Sequence, residues 1–311
     1  MSSDRHAEPD AGELAADLDA LRQGAGAVWV DRDAVAVAGP DAVSFLQGQL
    51  SQDVDPLAEG GSAWSFLLQP QGKVETLVRL TRTGDDEVVL DVDAGWGEAV
   101  QARLQRFKLR VKAELRRLDW RCLACPSGPA SAPSRLGPVD RAWAVVPAFG
   151  GGVDLLGESP SAPDGVRLCG PAALDVLRIE AGWPKMGAEL TEATIPAETG
   201  IVDQTVSFTK GCFTGQELVA RIESRGGHVP RRLLGVLARQ AGPAPRPGAT
   251  VVAGDTAEAG VVTSSAVAPG RAGPIGLAYV KRSVEPPAAV TLRWDGAELA
   301  ADVVTLPLPA P

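Results

Sequence analysis

The chain has 311 residues, 45% of them hydrophobic and only 5% aromatic, with a formal net charge of -9. Two or three domains with buried cores are expected from that length, while the acidity disfavours general binding to nucleic acid or to an anionic membrane surface and leaves room for a local basic pocket. No apolar run approaches the ~18 residues of a membrane span, and the acidic N-terminal stretch lacks an apolar core with a cleavage site, so a cytoplasmic, reducing setting is expected.

Residues 1–25 read as a loose acidic segment with a short helix over Glu13–Arg22 and His6 in its tail. Val28 to Ala38 has a strand pattern. Gly39-Pro40-Asp41 opens a helix that runs to Leu50, with Pro40 suited to the first helical position. Trp64–Gln69 and Val74–Arg79 form a hairpin around Pro70-Gln71-Gly72. Glu87–Val92 is a strand and Gly97–Phe107 a helix. Lys108–Leu118 alternates as a strand, with basic side chains on a solvated face.

Cys122 and Cys125 form a CxxC pair, which invites a zinc or redox reading. No second pair stands at zinc-ribbon spacing, His6 and His228 are the only histidines, and a glycine-rich βαβ context is missing. These cysteines are therefore expected near a strand end, and no stable metal is expected. Residues 126–140 read as a low-complexity loop. Ala142–Pro147 and Val153–Leu156 are short strands around Gly150-Gly151-Gly152, a hairpin turn and not a phosphate loop, since no lysine and helix follow. Pro171–Ala181 is a helix ended by Gly182. From Pro230 onward, short apolar strands alternate with Gly and Pro turns, the pattern of a small antiparallel barrel.

The richest segment is Lys210-Gly211-Cys212-Phe213-Thr214-Gly215-Gln216-Glu217, followed by Leu218-Val219-Ala220-Arg221. Thr214 and Glu217 match a capping box with Thr214 as N-cap. Cys212 is then two residues before a helix and close to Lys210, an arrangement that favours the thiolate and a pKa below the ~8.5 of a free cysteine. The alternative is a buried cysteine in an ordinary turn. Glycine beside Lys210 allows close backbone approach. Arg221 and Arg225 are one helical turn apart, and Arg231 and Arg232 follow.

This run resembles the signature of the YgfZ family, folate-binding proteins related to the glycine-cleavage T-protein. Gly39-Pro40-Asp41 with Phe45 to Gln49 and Asp53-Val54, Gln69 to Lys73, and Arg178-Ile-Glu180-Ala-Gly182 extend the resemblance from about Val28 to the C-terminus. It implies an α+β fold: three subdomains around a central folate pocket, the last of them an antiparallel β-barrel. The implied organisation is a flexible segment 1–25, a folate-binding region 26–228 of two interleaved subdomains with the loop 126–140, and a barrel domain 229–311.

The same resemblance implies tetrahydrofolate or a derivative as ligand, and iron–sulfur proteins or their assembly factors as partners, with links to tRNA-modifying enzymes and no direct nucleic-acid or membrane binding. Cys212 and Lys210 are the implied reactive groups, with the thiol at the edge of the pocket. Glu180 is the implied pterin anchor, unless it pairs with an arginine or faces water. Arg178, Glu198, Gly211, Gly215, Gln216, Arg221, Gln49, Asp53 and Lys73 complete the candidate folate site, with Asp203 a weaker candidate.

One departure matters. Aminomethyltransferases end the hairpin strand with an aspartate, and Thr76 stands where it aligns; Glu75 is adjacent but is expected on the opposite face. The leading expectation is a folate-binding accessory factor for iron–sulfur proteins. A folate-dependent aminomethyltransferase or demethylase, and a docking protein with structural folate, are the alternatives.

Overall fold

The computed structural model describes residues 10–127 and 137–311; His6 and most of the expected loop 126–140 lie outside the described residues. In chain order, α1 (Ala11–Arg22) leads to β1 (Gly26–Val30), β2 (Arg32–Ala38) and α2 (Ala42–Gln49). Next come β3 (Ser62–Leu68), β4 (Val74–Gly84), β5 (Glu87–Asp93), α3 (Gly97–Phe107) and β6 (Glu114–Leu118). β7 (Arg121–Ser127), β8 (Gly137–Val139), β9 (Ala142–Val145), β10 (Gly151–Gly157) and β11 (Arg167–Leu168) precede α4 (Pro171–Ala181). After a 3-10 turn at Pro196–Glu198 come α5 (Val202–Thr205) and α6 (Gln216–Ser224). The last six strands are β12 (Arg231–Ala238), β13 (Thr250–Ala253), β14 (Thr256–Ala266), β15 (Ile275–Lys281), β16 (Ala288–Trp294) and β17 (Ala297–Val304).

These strands make three sheets, so the fold is α+β with a C-terminal barrel, as expected. One sheet has the order β3-β4-β5-β2-β6, a second β11-β1-β7-β10-β9-β8, and β12-β15-β14-β13-β16-β17 close on themselves. Closure removes the exposed edges that short strands would otherwise present. The barrel has its own apolar interior, including Val236, Val251, Leu292 and Val303. Among the described residues no helix is long and apolar enough to cross a membrane.

The expected strand Val28–Ala38 is two strands in different sheets, because the chain leaves β1 at Val30 and enters β2 at Arg32. β1 pairs with β7 and β11, whereas β2 lies between β5 and β6. This crossing at Asp31 brings the two sheets together and creates the main cavity. One face of the β3–β6 sheet packs under α2 and α3 through Val37, Leu46, Val78, Leu90 and Leu104. Its other face carries Arg79, which reaches Asp154 of β10 and Cys122 of β7.

Other differences have local causes. The N-terminal segment is tied down from Ala11 onward. Leu14, Leu18 and Leu21 of α1 pack with Ala173, Val176 and Ile179 of α4 and with Leu277 and Tyr279 of the barrel, and that burial holds a helix too short to persist alone. Lys108–Leu118 is strand only over β6, since Arg110 adopts φ 59°, a left-handed conformation that interrupts extension. Ala42, not Pro40, is the first helical residue of α2, with Asp41 at its N-cap. Gly151 and Gly152 belong to β10 itself. α4 ends as expected, with Gly182 at φ 74° and its would-be Cβ 2.8 Å from Leu306, so glycine there serves both the turn and the close packing of the C-terminal tail.

Candidate functional site

Three charged residues fall within buried stretches of strand: Arg79 in β4, Asp91 in β5 and Asp154 in β10. They meet. Arg79 donates from Nε and Nη2 to the two carboxylate oxygens of Asp91 at 2.9 and 3.0 Å, and from Nη1 to Asp154 Oδ2 and to the Val146 carbonyl. Arg32 adds bonds to Asp91 at 2.7 Å and to Asp93 at 2.6 Å. Arg79 is 1% exposed and Asp91 is fully buried. Charges so deep in a fold survive only when paired and fully hydrogen-bonded.

Burial alone would raise the Asp91 carboxyl; Arg79 and Arg32 outweigh it and hold its pKa below the usual carboxylate range. Asp154 behaves oppositely. Burial dominates and is only partly offset by Arg79, so its pKa is raised. Burial also pushes the Cys122 thiol, which accepts from Arg79 at 3.5 Å, up to about 12, leaving it inert.

Arg32, Asp93 and Asp154, the outer members of this chain of charges, line a cavity of about 590 Å³, a volume suited to a small organic ligand. Trp64 and Trp183 meet edge to face in its wall with ring centroids 5.0 Å apart. The guanidinium groups of Arg32 and Arg79 lie 5.3 and 5.2 Å from the Trp64 ring centroid. Asp154 and Asp93 line the cavity. Both Asp93 oxygens are engaged, one by Arg32 and the other by the Met186 N–H at 3.0 Å. Among the described residues no donor reaches Asp154 Oδ1. The site therefore offers flat aromatic walls and an unpaired acceptor, which suits a planar heterocycle with N–H groups on one edge.

The signature loop lies elsewhere, at the end of α2 and against the β3–β4 turn. Lys210 Nζ donates to the carbonyls of Leu50 at 2.9 Å and Gln52 at 2.7 Å, and burial lowers its pKa to about 8 despite Asp53 and Asp55. Its hydrogen bonds dock the loop on the carbonyl end of α2. The helix begins one residue later than expected. Gly215, not Thr214, is the N-cap, Thr214 N–H donates to the Gly48 carbonyl, and the Gln216 side chain accepts from Phe213 N–H at 3.0 Å.

Gly215 has φ 82°, and a Cβ there would lie 2.5 Å from the Gln69 carbonyl; Gly72 has φ 80°, and its Cβ would lie 2.5 Å from Leu218 Cβ. These two glycines let α6 clamp directly onto the hairpin. Gly215→Ala is expected to cost about 2–4 kcal/mol, from left-handed strain plus overlap. Chemical denaturation measures this, and a loss below about 1 kcal/mol would mean that α6 lifts off the hairpin at no expense.

Phe213 is buried beside Leu68, Val74, Leu77 and Trp183, while Cys212 is exposed and is not a lining residue of the cavity. The expectation of a thiol at the pocket's edge is corrected accordingly: the aromatic neighbour takes the inward position. Gly211 has open space around its would-be Cβ, so it does not provide the close approach expected beside Lys210. Gln49 accepts from Arg103 at 3.1 Å and Asp53 from Gln47 at 2.8 Å. Both lie near this loop, outside the cavity lining. Lys73, Arg221 and Asp203 are exposed, also outside it. Arg225 is the C-cap of α6.

Glu180 is not in the cavity lining either. It accepts from Arg22 at 3.0 and 2.9 Å and from Arg271 at 3.0 Å, so the ion-pair alternative describes it and the pterin-anchor role does not. Glu198 is 3% exposed and paired with Arg231, which stacks over Tyr279. It ties the 3-10 turn to the barrel. Arg178 alone of the sequence-derived candidates lines the cavity. Its donors are taken by Asp175, the Trp183 carbonyl, Glu189 and the barrel's Ser264, so it braces the wall.

Residue 76 is also informative. Thr76 is fully buried, and its hydroxyl has no partner among the described residues. A register shift opposite Leu67 and Leu68 leaves Glu75 as the extra residue of a bulge, where it pairs with Arg103 of α3 at 2.9 Å. Neither residue lines the cavity. Among the described residues no group of three or more His, Cys, Asp or Glu side chains is placed to hold a metal ion.

Residues 231–308 match the glycine cleavage T-protein C-terminal barrel domain. An aminomethyltransferase from Rubrobacter xylanophilus is 30% identical over 303 residues, spanning 88% of this chain and 80% of its own. A tRNA-modifying protein YgfZ from Cronobacter sakazakii is 30% identical over 235 residues, with 68% and 70% covered. A mitochondrial iron-sulfur cluster assembly factor IBA57 homolog from Neurospora crassa is 29% identical over 237 residues; the match spans 69% of this chain but only 54% of that one. The crystal structure of the glycine cleavage system aminomethyltransferase T from Bartonella henselae superposes with a TM-score of 0.80 at 24% identity, covering 94% of this chain and 89% of that one.

Proposed function

The chain belongs to the glycine-cleavage T-protein (aminomethyltransferase-like) family, and we propose that it binds a reduced folate in the cavity between its first two sheets. The observation that carries this is the unpaired Asp154 oxygen facing a cavity walled by Trp64 and Trp183. A pterin ring presents adjacent N–H groups that a carboxylate accepts in charge-assisted bonds. Asp154 holds that edge, Arg79 fixes Asp154, and the tryptophans exclude water from the ring faces. Bound folate supplies a carrier for one-carbon units.

Within that family the chain is a YgfZ-like accessory factor for the assembly, maintenance or repair of iron–sulfur proteins, tRNA-modifying enzymes among them, in the cytoplasm. Thr76 supports this reading, since it replaces the carboxylate of the transferases and its side chain does not line the cavity. Cys212 supports it too. An exposed thiol on a loop fixed by Lys210 and Phe213 is positioned to meet a client protein, and one thiolate cannot by itself hold a cluster that needs about four.

A second reading, folate-dependent aminomethyl transfer, is favoured by the relatives. Three aminomethyltransferases match this chain over 80–91% of its length. Turnover separates the two: methylene-tetrahydrofolate formed from an aminomethyl donor establishes the second reading, and its absence with intact folate binding sustains the first. Calorimetric titration with tetrahydrofolate tests the shared premise. Cys212→Ala is expected to bind tetrahydrofolate as the wild type does, yet to fail to restore iron–sulfur enzyme activity in a deletion strain. Full restoration would remove the thiol from the function.

A further inference from the structure

One wall of the main cavity is fastened from the barrel. Trp183, Pro184, Lys185 and Met186 line the cavity, yet residues 183–190 lie outside the helices and strands and contain only the isolated bridge between Met186 and Leu190. A stretch without a ladder needs other partners for its backbone, and Glu189 organises them. Its side chain is fully buried. It accepts from Lys185 N–H at 3.0 Å, from Arg178 Nη1 at 3.2 Å and from Ser264 Oγ at 2.6 Å, while its carbonyl accepts from the Tyr279 hydroxyl at 3.0 Å.

Ser264 and Tyr279 belong to β14 and β15 of the barrel, and neither lines the cavity. A bulge aims Ser264 at Glu189. β14 shifts register between Val262 and Ser264: Val262 pairs with Ala278 in the barrel interior, whereas Ser264 pairs with Leu277, which packs toward α4. Under strict alternation Ser264 would point into the barrel as Val262 does. The extra residue, Thr263, turns it outward.

The connection continues into the site. Lys185 N–H is held by Glu189, and the next N–H along the chain, that of Met186, donates to Asp93 Oδ2 at 3.0 Å. Asp93 is bound by Arg32, Arg32 also binds Asp91, and Asp91 is bound by Arg79, the partner of Asp154. Every bond in this run has an ionised member, the stronger kind of hydrogen bond. The Trp183 carbonyl joins it as well, because Arg178 donates to that carbonyl at 2.8 Å and to Ser264 Oγ at 2.9 Å.

We propose that Glu189 is a positioning residue for the occupant of the cavity: with Ser264 and Tyr279 it makes the barrel set the pose of Trp183 and Met186. The proposal rests on the folate reading for the identity of that occupant. Loss of a barrel hydroxyl leaves an acceptor of Glu189 without its donor in the interior. The 183–186 wall then relaxes and grips the ring less closely, so a bound ligand leaves sooner.

The test combines calorimetry and stopped-flow binding of tetrahydrofolate with circular dichroism of the ligand-free protein. It uses wild type, Ser264→Ala, Tyr279→Phe and the barrel-interior control Val236→Ala. The edge-to-face Trp64–Trp183 pair gives an exciton couplet, isolated as the difference from Trp183→Phe. Ser264→Ala is expected to weaken binding about fivefold, through faster dissociation, and to shrink the couplet. Tyr279→Phe keeps the ring's packing and is expected to act in the same direction by about twofold; it decides the matter if Ser264→Ala does not fold. Val236→Ala costs stability without touching Glu189 and is expected to leave affinity and couplet as in the wild type. Wild-type affinity and couplet in the folded hydroxyl variants overturn the positioning role, as does an equal loss in Val236→Ala, which would mean general loosening. No binding of tetrahydrofolate by the wild type overturns the folate reading instead, and the ligand-free couplet then decides the positioning role by itself.

Discussion

Replacing Arg79 by leucine is expected to destabilise the protein by about 3–5 kcal/mol. The guanidinium is 1% exposed and joins three strands from two sheets through Asp91, Asp154 and the Val146 carbonyl. Its removal leaves Asp154 buried with no cation and Asp91 with Arg32 alone. The penalty comes mostly from those orphaned carboxylates, not from the lost attraction. Urea unfolding followed by tryptophan fluorescence measures it, since Trp64 lies against Arg79. Adding Asp154→Leu to Arg79→Leu should recover part of the loss by removing one orphan. A loss below about 1 kcal/mol for Arg79→Leu would mean that water, not the guanidinium, satisfies these groups.

Asp154→Asn is expected to lower affinity for tetrahydrofolate by about 100-fold, or about 3 kcal/mol. The amide oxygen can still accept from Arg79, so folding is largely spared. Its NH2 group then faces the pterin edge, setting donor against donor. Glu180→Ala, by contrast, should leave affinity nearly unchanged, because Glu180 is committed to Arg22 and Arg271. If Glu180→Ala abolished binding and Asp154→Asn did not, the pterin would have to sit elsewhere. The pH profile provides a second check. Burial raises the Asp154 pKa in the folded protein, and the acceptor must be ionised, so affinity falls as pH drops through that raised value, sooner than for an ordinary carboxylate. For stability the sign is the reverse. A proton retained by the folded chain favours it at low pH, and this contribution is lost as pH rises through the folded pKa.

How far the sequence revealed this site depended on which kind of signal each residue gave. Helices α3 and α4 were legible to the residue, because Gly97, Pro171 and Gly182 mark their ends chemically. The barrel was legible from turns. The pairing of Val28 with one sheet and Val35 with another was not, since a single apolar run has the same pattern in either case, and only the tertiary crossing at Asp31 divides it. The signature drew attention to Lys210 and Cys212, whose spacing is conspicuous, but spacing does not say which side of a loop faces a cavity. Phe213 decided that by burying itself. Asp154 was missed although a clue was present: a lone aspartate in Val-Asp-Leu-Leu, a lone arginine in Leu-Val-Arg-Leu and a lone aspartate in Val-Leu-Asp-Val are opposite charges in buried strands, and such charges must find one another. Likewise, an expected face for Glu75 fails at a bulge, because one extra residue resets the alternation.

The environment of Glu180 has a mechanical consequence. Arg22 approaches it from the first helix, Arg271 from the barrel, and Arg271 also holds the Pro309 carbonyl while Leu308 N–H donates to the backbone of Glu180. The end of the first helix and the C-terminal tail are thus fastened at one knot on α4. Tension applied between them must shear several charge-assisted bonds at once before any strand can peel, so the folded chain resists pulling as a buckled strap does and not as a zip.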